Sequence, residues 1–462
     1  MHTNQVYSEV VTVNNGSHKW WHRRWVKIIG IFIILLIVSA TILALVLNFV
    51  VFAPKKSETN TTAATSSSPL TTRISIPPLL STTTSTVTPT TTLAQTTTTT
   101  TTEQSEPTTS TTSTTVSTTT PTTMTTTAIQ EWVMTGNMST ARYIHTASVL
   151  ENGFVLVTGG NNGATVLNSA EYYNPSSGTW TTTGSMSFNR YGHTASTLAN
   201  GLVLVVGGWG VSGALNSAEL YNPSTGIWTM TGNMSVGRHY HTESTLANGS
   251  VLVTGGWGVS GDIFVNSAEL YNPSTSTWTT TGSMNVARYH HTAFTLANGS
   301  VLVIGGSSSS GAHNSAELYN PSIGIWTMAG NMSIARYALT ASKLANGSVL
   351  VVGGTSSSGT LNNVELYNPS TDIWTLTGSM SIARYFHTAA TLANGLVLVV
   401  GGFNSGYLNS AELYNPATDS WTLTGSMYIA RYFHAASTLA NGKVLVTGGQ
   451  NSDDYLNSAE LY

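Results

Sequence analysis

The 462-residue sequence contains no cysteine, which removes disulfide bonds, thiolate metal ligands and thiol nucleophiles together. Charge is scarce as well. Asp, Glu, Lys and Arg make up 8% of the chain and leave a formal net charge of −3. From residue 129 onward nine basic residues stand against fifteen acidic ones, so no basic patch is present to grip a phosphate backbone, and nucleic acid is not an expected partner. Catalytic signatures are missing too: the chain has neither a Gly-x-Ser-x-Gly elbow nor a His-Glu-x-x-His pair.

What is present divides the chain. Residues 1–27 are polar and basic, with Lys19, Arg23, Arg24 and Lys27 against Glu9. Residues 28–53 carry no charge and as a helix would reach about 39 Å, enough to span a hydrocarbon core of roughly 30 Å with some tilt. The basic region before this run is too long, and the run itself too long, for a cleaved signal peptide. Trp20, Trp21 and Trp25 beside the basic cluster suit an interfacial anchor, and the charge asymmetry favours an inside N-terminus. The expectation is a single-pass, type II signal anchor, with everything after it lumenal or extracellular, at the plasma membrane. Residues 54–128 follow as a Thr, Ser and Pro-rich segment that holds no aromatic residue. Such a composition cannot bury enough apolar surface to offset its ordering entropy and reads as a disordered, mucin-like stalk, able to extend up to about 220 Å.

The remainder, 129–462, is organised by a repeat. Gly-Gly pairs begin at Gly159, Gly207, Gly255, Gly305, Gly353, Gly401 and Gly448, each followed by a Glu-x-Tyr at Glu171, Glu219, Glu269, Glu317, Glu365, Glu412 and Glu460. Trp and then Arg follow in six copies, and the missing seventh pair stands at the front as Trp132 and Arg142. A period near 50 with these landmarks marks a β-propeller. LVLVV-like runs between Asn-Gly and Gly-Gly read as buried strands, and AELY stops at Asn-Pro, where proline cannot donate to a ladder. The Trp segment and the Arg-Tyr-x-His-Thr segment supply the third and fourth strands of a blade. On this reading the C-terminus gives the last blade two strands and the segments around Trp132 and Arg142 the other two.

These landmarks resemble those of the kelch family over 132–462. The resemblance implies an all-β, seven-bladed propeller whose last blade is closed by both ends of the repeat region, which removes open sheet edges. Many kelch proteins are cytosolic adaptors, but here an anchor and stalk precede the repeats, not a dimerising domain. Galactose oxidase-like copper oxidases share such a scaffold. Their radical cofactor needs a cysteine cross-linked to tyrosine, which this chain cannot provide. The Asp-box of sialidases is absent as well. The acids outside the repeat register, Glu131, Glu151, Glu243, Asp262, Asp372, Asp419, Asp453 and Asp454, show no spacing that suggests an acid and base pair.

The repeat Arg and Glu read as structural, with mutual pairing possible, against a ring of Arg that attracts an anion. The repeat His, interrupted by Leu339, also reads as structural, since a metal wants ligands converging on a point. The expectation is therefore a binding module, not an enzyme, with no cofactor and no metal, and with a protein or carbohydrate ligand. Its variable loops lie between Gly-Gly and Glu-x-Tyr, and their aromatics Trp209, Trp257, Phe264, Phe403, Tyr407 and Tyr455 are the ligand-binding candidates. The alternative for several of them is packing over neighbouring blades. Asp453 and Asp454 suit a cation or a polar ligand. Sequons at Asn60, Asn137, Asn233, Asn248, Asn298, Asn331 and Asn346 are glycosylation candidates. In kelch-like wiring Asn137, Asn233 and Asn331 fall in the outer third-to-fourth-strand connection, and Asn248, Asn298 and Asn346 in the turn between blades.

Overall fold

The computed structural model describes residues 131–258 and 263–462. The expected tail 1–27, span 28–53 and stalk 54–128, together with Asn60 and Asp262, lie outside them. Among the described residues no helix is long and apolar enough to cross a membrane.

Seven four-stranded antiparallel sheets follow one another along the chain. The first blade is Thr146–Val149, Val155–Thr158, Ala170–Asn174 and Thr179–Thr182, paired in that order. The second strands are almost solely Val, Leu and Ile and are fully buried in every blade, as a strand covered on both faces requires. Their side chains form the seams between blades. Val155 and Tyr173 of the first blade pack with Leu439 and Leu445 of the seventh, which closes the ring.

The closure differs from the expected two-plus-two division. The seventh blade takes Ala435–Thr438, Val444–Thr447 and Ala459–Leu461 from the C-terminal end and only Val133–Met134 from the other, with Val133 opposite Leu461. The His-Thr segment opens the next blade as its innermost strand and does not end the previous one. Connection length explains this. The Ala-Asn-Gly and Asn-Pro turns are short enough only for hairpins between neighbouring antiparallel strands. The longer run from the Trp strand to the His strand is the one that crosses between blades.

The same shift moves the sequons. Asn137, Asn233 and Asn331 lie in the crossings between blades, and Asn248, Asn298 and Asn346 in the hairpins between first and second strands. All six are exposed. The variable loops join second to third strands, and they emerge at the same end of the propeller as the crossings. We call this end the loop face, and the end bearing the hairpins the turn face.

The Gly-Gly pair makes the loop face possible. Gly159 and Gly160 have φ of 60° and 94°, and a Cβ on Gly159 would stand 2.5 Å from the Arg190 carbonyl oxygen. Only glycine fits there. The adjacent Gly160 N–H donates to that carbonyl at 2.8 Å, joining the first blade to the second.

Candidate binding face

The repeat charges are spent inside the blades. Each Arg is fully buried and pairs with the Glu of its own blade at 2.6–3.0 Å. Arg142 also donates from Nη1 to the carbonyls of Gly159 and Ser169. Glu171 accepts the backbone N–H of Ser139 at 2.7 Å and of Thr140 at 3.3 Å. The pair thus clamps the crossing onto the blade that it enters. Burial lowers the Arg pKa and the Glu partner raises it again. Among the described residues no Arg is left to form an anion-attracting ring.

The repeat His residues seal the seams. Their Nε2 atoms lie 2.7–3.1 Å from a threonine hydroxyl of the preceding blade, as in His434 with Thr388 and His241 with Thr194. His145 meets Thr447, because Ala435 stands where other blades offer an inner-strand threonine. Burial, reinforced by the nearby Arg cations, pushes His193 and His434 down to about 3, so these imidazoles are neutral at physiological pH. Leu339 in the fifth blade packs in an apolar cluster instead. Among the described residues no three His, Asp or Glu side chains are grouped closely enough to hold a metal ion.

Just before each of these residues lies a position at which the repeat has no fixed residue type. Ile144, Gly192, Tyr240, His290, Ala338, Phe386 and Phe433 all have left-handed backbone, with φ between 49° and 61°. Each donates its N–H to the carbonyl of its counterpart in the preceding blade, and Ile144 donates to Phe433. Seven hydrogen bonds of 2.9–3.3 Å therefore close a belt around the axis on the loop face. A side chain in this conformation costs roughly 1–2 kcal/mol, and a β-branched residue such as Ile144 is an outlier there. The belt and the His ring below it line an axial cavity of about 260 Å³.

Four of the belt residues meet at the axis. Tyr240 and His290 have ring centroids 4.0 Å apart, His290 and Phe386 5.0 Å, and Phe386 stacks on Phe433 at 3.8 Å. Burial raises the Tyr240 hydroxyl pKa and lowers His290 to about 3. The centre of the loop face is aromatic and uncharged.

All six aromatic candidates lie on this face, half-buried, each packed against another ring. Trp209 meets His239 at 4.9 Å, and Trp257 lies between His239, Phe264 and Tyr289 at 5.5–5.7 Å. Phe403 and Tyr407 pack with each other and with Tyr432, while Tyr455 packs on Tyr143 at 5.0 Å. The structure gathers them into two sectors, over the second to third and the sixth to first blades. Between these sectors the loops of the fourth and fifth blades are small hairpins of Ser, Thr, Gly and Ala, at Ser307–Ser308 with Gly311–Ala312 and Thr355–Ser356 with Gly359–Thr360. The face is lopsided although the scaffold repeats.

This architecture defines a seven-bladed β-propeller with a cavity of about 260 Å³ on its axis. The chain belongs to the kelch-repeat family: the KLHDC2/KLHL20/DRC7 Kelch-repeats domain matches residues 105–306 and 244–449. Among solved structures, the chain is similar to one described as a novel fungal alcohol oxidase with catalytic diversity among the AA5 family, in complex with copper. The likeness has 20% identity and a TM-score of 0.58, and covers 72% of this chain and 76% of that one. At that identity it is a likeness of fold alone. No curated protein matches the chain. A kelch propeller is a scaffold suited to protein interaction.

Proposed function

We propose that this protein is a non-catalytic binding module that holds a protein or carbohydrate partner on the loop face of its propeller. The observation that carries the reading is the axial belt. In blades that otherwise repeat, the one residue between Arg-Tyr or Arg-His and the following position changes almost every time, and it sits where a side chain is conformationally costly. Such a position holds its side chains for what they contact. The Trp209 and Trp257 sector adds large, rigid apolar area of the kind that anchors interfaces. The module is carried on a type II anchor at 28–53 and a glycosylated stalk at 54–128, which places the propeller outside the cell or in a lumen.

The test pairs a screen with two variants. The full-length chain is screened against glycan arrays and surface proteins, and each hit is retested with Trp209→Ala plus Trp257→Ala and with Phe386→Leu plus Phe433→Leu. Binding reduced at least about tenfold by either pair, in folded protein, supports the reading. Hits that survive both pairs place the partner elsewhere. Location is tested separately by a gel shift after N-glycosidase treatment of protein from a eukaryotic cell, with Asn248, Asn298 and Asn346 mutated together. A shift reduced by those mutations supports the outside placement; no shift in folded protein favours a cytosol-facing adaptor.

A further inference from the structure

We propose that the group seated in the axial mouth is a cationic side chain, lysine or arginine, presented by a partner protein. This rests on the reading of the loop face as the binding face and names its ligand chemistry.

The first argument is charge. Every described Arg is buried in its ion pair. The two described lysines, Lys343 and Lys443, flank the hairpin turns on the opposite face. Glu151, Asp372 and Asp419 also lie in turns of that face. Among the described residues the exposed fixed charges of the loop face are Asp453 and Asp454 alone, on the variable loop of the seventh blade. The histidines around the mouth add no cation, since burial holds His290 near 3 and His239 near 4. The face complements a positive ligand and disfavours a negative one.

The second argument is shape and ring chemistry. Asp454 is followed by Tyr455, whose N–H it accepts at 2.8 Å. Tyr455 packs on Tyr143, Tyr143 meets Phe433 at 6.3 Å, and Phe433 stacks on Phe386 at the axis. A continuous run of ring surface therefore leads from the two carboxylates to the cavity. Ring faces carry the negative end of the aromatic quadrupole and attract ammonium or guanidinium groups. Burial pushes the Tyr432 hydroxyl up to about 12 and raises Tyr143, so the phenols act as neutral rings. The cavity volume of about 260 Å³ suits one long side chain.

The test titrates the full-length chain in detergent with three blocked tripeptides: acetyl-Gly-Lys-Gly-amide, its norleucine isostere and its glutamate counterpart. Binding is read by saturation-transfer NMR and calorimetry at low and at high salt. The lysine peptide is expected to bind roughly tenfold more tightly than norleucine, with no detectable glutamate binding. High salt and Asp453→Asn plus Asp454→Asn should each shrink that preference. Phe433→Leu, which keeps an apolar side chain but removes the ring, should shrink it without unfolding the protein. Equal binding of lysine and norleucine overturns the cationic inference and leaves the binding face standing. Binding of a neutral sugar such as methyl β-glucoside, with none of the peptides, does the same. Failure of all these probes, with intact fold, overturns the inference and counts against the face as well.

Discussion

Glu243 offers the sharpest test of how the blades hold together. It lies on the inner strand Thr242–Thr245 opposite Val253, at a position filled by Ala147, Ala195, Ala293, Ala341, Ala389 and Ala436 in the other blades. Val253 belongs to the apolar seam with Leu204 and Val206 of the second blade. Both carboxyl oxygens are buried without a well-aligned hydrogen bond. Burial pushes the carboxyl from 4.5 up to about 7, and the hydroxyls of Ser196 and Thr194 draw it only partly back. A carboxyl raised in the folded state keeps a proton that the unfolded chain releases. Its contribution is fully present below about pH 4.5, is lost between about pH 4.5 and 7, and stays lost above. Moving the carboxyl from 4.5 to about 7 corresponds to about 3 kcal/mol. Glu243→Ala, which restores the residue of the other six blades, should therefore raise the thermal midpoint of the full-length protein at pH 8 and change it far less at pH 4.5. Subtracting wild type from variant at each pH cancels groups common to both. An equal difference at both pH values would refute the reasoning, because it would mean that Glu243 does not change protonation in this range.

The other predictions concern the repeat features. Glu219→Ala leaves Arg190 buried without its carboxylate and frees the N–H groups of Ser187 and Phe188; a loss of about 3–5 kcal/mol is expected in urea denaturation followed by circular dichroism. Thr388→Val removes the hydroxyl from His434 and should cost about 1–3 kcal/mol in the same assay. Ala338→Gly relieves a left-handed alanine with φ of 53°. Relief of strain less the greater freedom of glycine in the unfolded chain leaves a net gain of up to about 1 kcal/mol, and a destabilised variant would show that the belt is not strained there.

Fold and site were legible to different depths. Gly-Gly, Glu-x-Tyr and Trp recur at nearly fixed spacing, and that spacing is enough for the number of blades and for closure by both ends of the repeat region. Phase was not legible, because a periodic string does not say which of its connections crosses between blades; turn length does, and it puts Thr146–Val149 on the inside. The Arg and Glu series invited pairing, yet the partners stand 28 to 31 residues apart in sequence and meet only once the crossing folds over the third strand. Trp209, Trp257 and the other loop aromatics were visible as loop residues, but most of the rings they pack on, His239, Tyr289, Tyr432 and Tyr143, lie on the crossings between blades. Ile144, Gly192, Tyr240, His290, Ala338, Phe386 and Phe433 were not legible as one series because one changing residue between fixed landmarks resembles noise. Its recurrence at one register was the available signal.

That recurrence also bears on how a repeated scaffold selects a ligand pose. The buried Arg–Glu pairs look alike from blade to blade, and the His seams nearly so, so a ligand that met only these would find many near-equivalent orientations. The belt breaks the equivalence: Ala338 carries the smallest side chain, Gly192 lets Tyr240 lean over it with ring carbons 3.0–3.1 Å from where a Cβ would stand, and Phe386 and Phe433 fill the opposite side. The acidic loop of Asp453 and Asp454 lies beside the Tyr143 and Phe433 sector, across from the small-residue hairpins of the fourth and fifth blades. Opening, ring surface and carboxylates thus fall in a fixed angular order around the axis. Specificity needs a difference in energy between right and wrong poses, and in this propeller the axial belt and the loops above it supply that difference while the repeats hold them in place.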